Sequence, residues 1–591
     1  MHALDTLPLL PYPRSITRAA GVLHVPARPE VVPPTPHAEP AIPVEGCAHV
    51  AGLHAQGYRL TITPQGAHIE AADPAGLFYG RMTWRQVARL GREAIPCGVI
   101  EDWPDIPVRG VLLDISRDKV PTMATLCLLI EMLAEWKVNH ITLYMEHTFA
   151  YFNHRDVWAA AAPLTAEEVR TLDAFCRERH IELAPFQNSF GHFERWLKHH
   201  RYRPLAECPD GFVGADGKWR APTTLDPTNP AALALIAELY AELLPNFTSQ
   251  RLYIGGDETW ELGKGHSRQE VEQRGQGAVY FDYLRKLKEL ALAHGRTPLY
   301  FGDMVWNHFS NQLGVMDREM VHVDWGYYRS YPYRDHGAKL ADANVPFWFA
   351  PGTSTWCTLT GCNEAGMGSN RAAVQAGIEF GAGGILNTDW GDAGHWQTLP
   401  VSFIGFAAGA AMAWFEEGNA DGVIRASLDP HVFHDAAGVM GQAAYDLADT
   451  WLKVSENPTC SAFLHQLLAD GWACQLPANV TKSTLIEAEA HVLAAINRMS
   501  QARMDRPDAG LIVEEFAHNA RMAVAACRLG RLLLDKDTSE RGRAPLAHEL
   551  ELVVAEHRRV WLARNRPGGL DDSLRVLETR LKECRQPVFV P

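Results

Sequence analysis

The chain predicts an α/β protein: a (β/α)8 TIM barrel flanked by an N-terminal α+β domain and a C-terminal helical domain. Three observations carry this expectation. Eight short apolar runs alternate with helical segments between residues 105 and 425. No glycine-rich phosphate loop follows the first run, which disfavours a doubly wound open sheet. Strand patterning then disappears, and helical periodicity takes over to the end of the chain. At 591 residues the polypeptide exceeds what one core organises, so several domains are expected.

Residues 1–104 are rich in proline and valine, and an alternating run at 58–63 precedes a helix near 76–90; together they read as a small α+β domain. The stretch 101–107, with Trp103, Pro104 and Pro107, reads as a linker. The barrel, 105–425, has candidate strands at 110–115, 140–145, 182–186, 251–254, 298–301, 320–323, 346–349 and 384–387. Helical segments at 122–136, 166–179, 230–243 and 277–294 fall between them. Residues 426–591 form the helical domain, with periodic segments at 431–454, 483–503, 509–535, 543–565 and 570–584. The segment from Trp561 to Leu570 reads as a helix end with a Pro-Gly stop; a loop reaching toward an active site is the alternative.

Composition excludes some functions. The hydrophobic fraction of 47% and charged fraction of 21% are ordinary for a soluble globular protein. A net charge of −15 argues against nucleic acid or an anionic membrane as partner, since both reward a basic face. The nearly apolar stretch 403–415 is too short to span a bilayer, and the first residues lack a basic segment leading into an apolar one. Eleven scattered cysteines without a paired CxxC motif lead us to expect reduced thiols, no metal site and a cytoplasmic location. Asn246 and Asn479 match the glycosylation sequon and read as chance matches.

Gly255, Gly256, Asp257 and Glu258 follow the fourth candidate strand. Within a pleat, neighbouring side chains point to opposite faces, but two glycines at a strand end let both carboxylates enter one pocket. In a barrel, chemistry sits at the C-terminal strand ends. Those ends carry Asp114 with Arg117, Glu146 with His147, Asn188 with His192, the Asp257–Glu258 pair, Asp303 with Trp306, Asp324 with Trp325, Trp356, and Asp389 with Trp390 and Asp392. Acids paired with indoles at a wet pocket suit a sugar, which offers an apolar face to stack and hydroxyls to bind. Paired carboxylates suit proton delivery to a glycosidic bond.

These residues resemble glycoside hydrolase family 20, the β-N-acetylhexosaminidases, over about residues 1–420. Residues 57–60 and 76–80 with Gln86 are similar to the family's non-catalytic N-terminal domain, and residues 109–117 to its first barrel strand. The Gly-Gly-Asp-Glu at 255–258 matches the catalytic motif, and Trp390, Gly391 and Asp392 resemble a Trp-Gly-Glu near the eighth strand. The resemblance implies retaining, exo-acting hydrolysis of terminal GlcNAc or GalNAc, without cofactor, in which the substrate's own acetamido oxygen is the nucleophile. It implies that Glu258 protonates the leaving oxygen and that Asp257 orients the acetamido group. It further implies that Arg109 binds outer hydroxyls, that Asp392 holds the O4/O6 rim, and that Trp306, Trp325 and Trp390 wall the pocket. Glu146 and His192 are expected beside the pair. For Arg109 an ion pair with Asp114 or a neighbour is the alternative.

Three departures from the family pattern stand out. Asp392 replaces a glutamate, and Asn188 replaces an aspartate. A pocket tyrosine expected after the seventh strand is missing, so Tyr327 or Tyr328 substitutes for it, or Trp356 reshapes the pocket. A glycosidase for a modified or non-acetylated hexosamine, or a non-catalytic sugar-binding barrel, are the other readings. The helical tail could form a homodimer interface.

Overall fold

The computed structural model describes residues 3–25, 44–91, 93–214, 216–454 and 462–586; Cys460 and part of the proline-rich region lie outside these. The N-terminal domain is a five-stranded sheet in the order β1-β5-β3-β4-β2. Its strands are β1 (Ser15–His24), β2 (Glu45–Cys47), β3 (Tyr58–Thr63), β4 (Gly66–Ala71) and β5 (Ala94–Asp102). Alternation in β3 buries Tyr58, Leu60 and Ile62, and the helix Pro74–Gly91 lays Tyr79, Trp84 and Val87 over them. A Cβ at Gly80 would stand 2.8 Å from Ile69, so only glycine allows this helix so close to the sheet.

Eight parallel strands follow: β6 (Val108–Asp114), β7 (His140–Tyr144), β8 (Glu182–Ala184), then β11 (Arg251–Tyr253), β12 (Thr297–Phe301), β13 (Val321–Trp325), β14 (Phe347–Ala350) and β15 (Gly384–Asp389). A two-stranded ribbon, β9 (Phe212–Val213) and β10 (Trp219–Arg220), interrupts the series. The sheet runs β11-β12-β13-β14-β15-β6-β7-β8, and a parallel bridge between Phe186 and Tyr253 closes it into a barrel. All eight expected strands are present. Leu112, Tyr144, Phe186, Tyr253, Leu299, Phe301, Val323, Trp348 and Leu386 fill the barrel as a packed core.

Three of the helices between strands start at side-chain caps. Thr122 caps Met123–Glu135, Thr165 and Glu168 form a capping box for Ala166–Arg177, and Asn229 followed by Pro230 opens Pro230–Leu243. The apolar stretch 403–415 lies in the buried helix Leu399–Trp414, and among the described residues no helix is long and apolar enough to cross a membrane.

Beyond the barrel, the helices Phe463–Asp470, Lys482–Met499, Ala509–Asp535, Glu540–Arg564 and Leu570–Arg585 pack against one another. The single helix expected at 431–454 is instead broken into short turns and the helix Met440–Ala448. Asp435 accepts backbone N–H groups of Ala437, Val439 and Met440, and this local capping outcompetes the helical period.

The first domain and the barrel share a buried charge. The Asp102 carboxylate accepts from Lys137 Nζ at 2.8 Å, Tyr58 OH at 2.8 Å and Trp414 Nε1 at 2.9 Å. Lys137 and Asp102 are both almost wholly buried. Removing one member of such a pair strands the other, at a cost of about 3–5 kcal/mol. Asp102→Asn is therefore expected to lower stability by that amount in urea unfolding; a change below about 1 kcal/mol would contradict the assignment.

Candidate active site

After β11 the chain leaves the pleat abruptly. Gly255, Gly256 and Glu258 take positive φ values of 69°, 100° and 51°. A Cβ at Gly255 would stand 2.3 Å from Asn188 Oδ1, so no side chain fits there. This kink brings Asp257 and Glu258 together. The left-handed Glu258 conformation costs strain energy, and its N–H donates to Asp303 Oδ2 at 3.2 Å, which helps to hold it.

His192 links the carboxylates. Its Nε2 lies 3.1 Å from Asp257 Oδ2 and 3.7 Å from Glu258 Oε2, and its Nδ1 lies 4.0 Å from Glu146 Oε1. Burial alone would lower the imidazole pKa, but the charge of Asp257 and their hydrogen bond outweigh it and carry the group up to about 10. Burial raises the Glu258 carboxyl and the neighbouring Asp257 raises it further, while His192 opposes both. Burial and Asp257 push Asp303 well above the usual carboxylate range. Asp257 Oδ1 is buried and has no hydrogen-bond partner among the described residues. The Glu258 side chain, by contrast, is 40% exposed and faces the opening.

The arginine at this mouth is Arg117. Asp114, at the end of β6, accepts from the backbone of Ser116 at 2.8 Å and Arg117 at 3.1 Å, and from the Arg117 guanidinium at 3.2 Å. It also accepts from Gly391 N at 3.0 Å, which ties the first strand loop to the eighth. The guanidinium lies over the rings of Tyr144 and Trp390, at 4.5 and 5.1 Å from their centroids. Its Nε stands 3.4 Å from Glu146 Oε1 and 3.8 Å from Asp392 Oδ1. Burial raises Glu146 to about 7 against the pull of Arg117, and Tyr144 OH donates to it at 3.0 Å.

Arg109 does not reach this site. It is the second residue of β6, at the opposite end of the barrel, and it is fully buried. Its guanidinium donates to the carbonyls of Lys137, Ile106 and Pro107 and to Gln56 Oε1. The alternative ion pair with Asp114 fails too, because Asp114 pairs with Arg117. Strand direction is the physical reason: side chains at the start of a parallel barrel strand face the closed end.

An aromatic wall completes the mouth. Trp390 Nε1 donates to Tyr327 OH at 2.9 Å, and Tyr327 stacks on Trp325 with ring centroids 5.2 Å apart. Trp356 meets Tyr327 edge-on at 4.9 Å, and Trp390 meets Tyr144 edge-on at 4.8 Å. The tyrosine after the sixth strand thus joins the indole after the seventh, while Tyr328 is largely exposed. Trp306 stands apart: it lies on the short helix Asp303–His308, and one of its faces is covered by His336 at 3.7 Å. Asp257, Glu258, Glu146, His192, Trp325, Tyr327, Trp356, Trp390 and Asp392 therefore gather at one mouth. Arg117, Asp303 and Tyr144 are the members to which sequence reasoning assigned no role. For Arg117, its place just past a strand end was the available signal.

The turn after Trp561 also contributes. Trp561 Nε1 donates to Arg566 O at 2.9 Å, and Arg566 N donates to Val120 O at 2.8 Å. The segment is a helix end, as its Pro-Gly stop indicates, and it also backs the loop that carries Arg117.

Comparison with known proteins is consistent with this geometry. Two family models match: Glycosyl hydrolase family 20, domain 2, over residues 18–103, and Glycosyl hydrolase family 20, catalytic domain, over residues 144–329. A beta-hexosaminidase of Akkermansia muciniphila is 27% identical over 282 residues, covering 43% of this chain and 56% of that protein. Hexosaminidase D of Homo sapiens is 27% identical over 183 residues, covering 30% of this chain and 36% of that protein. The chain thus spans about half, or less, of the length of these curated relatives. Among solved structures, a chitobiase of Flavobacterium johnsoniae is similar with a TM-score of 0.58 at 15% identity, over 93% of this chain and 97% of that one. A mutant Streptomyces plicatus beta-hexosaminidase in complex with product GlcNAc gives a TM-score of 0.55 at 16% identity, over 76% and 96% of the two chains. At these identities the structural likeness is one of fold.

Proposed function

The chain belongs to glycoside hydrolase family 20, and on that premise we propose that it is a retaining exo-β-N-acetylhexosaminidase acting on terminal β-linked GlcNAc or GalNAc. One observation carries the reading: Asp257 and Glu258 share a mouth, and the buried Asp257 Oδ1 has no partner among the described residues, while Glu258 faces the opening. An acetamido N–H donating to Asp257 Oδ1 would satisfy that atom and aim the acetamido oxygen at C1.

In the first step the acetamido oxygen bonds to C1 as the C1–O bond to the leaving group breaks, and Glu258 gives its proton to the leaving oxygen. The product is a cyclic oxazolinium whose positive charge Asp257 opposes. In the second step Glu258 takes a proton from water, the water oxygen bonds to C1, and the ring reopens with the starting configuration. The raised Glu258 carboxyl suits the first step, since it retains its proton to higher pH than a solvated glutamate. Trp325, Tyr327, Trp356 and Trp390 would wall the acetamido group and floor the sugar ring. Arg117 and Asp392 would bind the hydroxyls farthest from the scissile bond. A reducing, cytoplasmic setting is part of the proposal, and the scattered placement of the eleven cysteines without a CxxC motif supports it.

A panel of p-nitrophenyl glycosides tests the reading. Hydrolysis of the N-acetyl-β-hexosaminides, and of none of the glycosides lacking the acetamido group, is the expected result. A thiazoline mimic of the oxazolinium should inhibit competitively. Equal rates with and without the acetamido group would instead favour an ordinary two-carboxylate glycosidase.

A further inference from the structure

The loops that carry Arg117 and Trp390 are fastened to each other and to the C-terminal helices by one buried network. Within the pair of loops, Lys119 Nζ donates to Gln397 O, and the Gln397 side-chain amide donates to Trp390 O at 2.8 Å. His395 Nδ1 lies 3.0 Å from Arg117 O. From the helix Ala509–Asp535, Asn519 brackets the same glutamine. Its Oδ1 accepts from Thr398 N at 3.2 Å and Thr398 Oγ1 at 2.6 Å, and its Nδ2 donates to Trp396 O at 3.1 Å. From the other side, Thr122 N donates to Arg564 O at 2.9 Å, and the Lys119 ammonium lies 5.3 Å from the Trp561 ring. Lys119, Gln397 and Asn519 are all buried, and Lys119 and Gln397 line a cavity of about 40 Å3.

The Gln397 side chain joins the Trp390 backbone to this frame. We propose that Gln397 is a positioning residue: held between Lys119 and Asn519, it sets the placement of Trp390 against Arg117, so that the C-terminal helical domain determines how the non-reducing end of the sugar is gripped. The inference rests on the proposed hexosaminidase reading. It concerns binding rather than proton transfer, because the network meets the arginine–indole end of the mouth and not the Asp257–Glu258 turn. Replacing the amide by an apolar chain of similar length leaves Trp390 O unpaired and lets the indole drift. The expected signature is therefore a weakened ground-state and transition-state grip with an unaltered chemical step.

The test is Gln397→Met in the full chain, with GlcNAc affinity by calorimetry and steady-state kinetics on aryl N-acetyl-β-glucosaminides of graded leaving-group acidity. We expect KM to rise and GlcNAc affinity to fall by about tenfold, with kcat within about twofold and its dependence on leaving-group acidity unchanged. In an Arg117→Ala background the same substitution should have little further effect, because the contact it supports is already gone. Unchanged KM and affinity, a loss confined to kcat, or full additivity with Arg117→Ala would each overturn the proposal. If Gln397→Met does not fold, Lys119→Met, which removes the other hold on Gln397, is read by the same criteria. A wild-type protein that neither binds GlcNAc nor cleaves any aryl hexosaminide would overturn the hexosaminidase reading and this proposal with it. An active wild type with unaltered variants would overturn the proposal alone.

Discussion

Asp257→Asn and Glu258→Gln should each lower kcat on an unactivated N-acetyl-β-hexosaminide by at least about a hundredfold while the protein remains folded. The two losses should differ in kind. In the proposed mechanism Glu258 supplies a proton to the leaving oxygen, so the penalty of Glu258→Gln should shrink as the leaving group becomes more acidic and needs the proton less. Asp257 is proposed to orient the nucleophile and oppose charge at the sugar, so Asp257→Asn should be equally damaging for good and poor leaving groups. The pH profile separates them further. As the proposed acid, Glu258 acts in its protonated form, and its carboxyl is raised by burial, so wild-type turnover should fall as pH rises through that raised value. That limb should vanish in Glu258→Gln. His192, carried to about 10 beside Asp257, stays cationic across the working range and contributes no limb below it. Wild-type-like turnover in either variant would remove the functional assignment.

Arg117→Ala and Arg109→Ala form the second pair, with opposite outcomes. Arg117 lies between Tyr144, Trp390, Glu146 and Asp392, so its loss should raise KM for the sugar by about a hundredfold, as loss of charge-assisted hydrogen bonds to hydroxyls does. Arg109 satisfies three carbonyls and Gln56 at the closed end of the barrel. Arg109→Ala should cost about 3–5 kcal/mol of stability by stranding those groups, while folded protein keeps near-normal KM. Urea unfolding combined with kinetics reads both. If the phenotypes were exchanged, the polarity of the first strand in this account would be wrong.

The Gly-Gly-Asp-Glu turn was legible because its information is local. Two glycines, two acids and a preceding apolar run occupy eight consecutive residues, 251–258, and the kink they make is visible from backbone preferences alone. Trp325, Trp356 and Trp390 could be read in the same way, at or just past strand ends, whereas Trp306, chosen by the same pattern, packs against His336 instead. Arg109 misled because its likeness to a sugar-binding arginine was judged by residue type within a nine-residue stretch. A strand rises by roughly 3.3 Å per residue, so positions 109 and 114 are about 16 Å apart along the barrel. An arginine at the start of that strand cannot serve a site at its end.

Other features required contacts that sequence distance hides. Tyr327 and Trp390 are 63 residues apart, and they share a hydrogen bond because the loops of β13 and β15 converge over the same opening. The turn at 565–569 backs a loop more than 440 residues earlier, through the bridge between Pro121 and Asn565. The alternation of apolar runs with helical segments and the Gly-Gly-Asp-Glu run thus indicated the eight-stranded barrel and the shared pocket of its paired acids, since those depend on neighbours in the chain. Which arginine lies at the mouth, which tyrosine joins its aromatic wall and what braces their loops were settled only by barrel closure and domain docking, because parallel strands and packed helices bring together residues that no local pattern links.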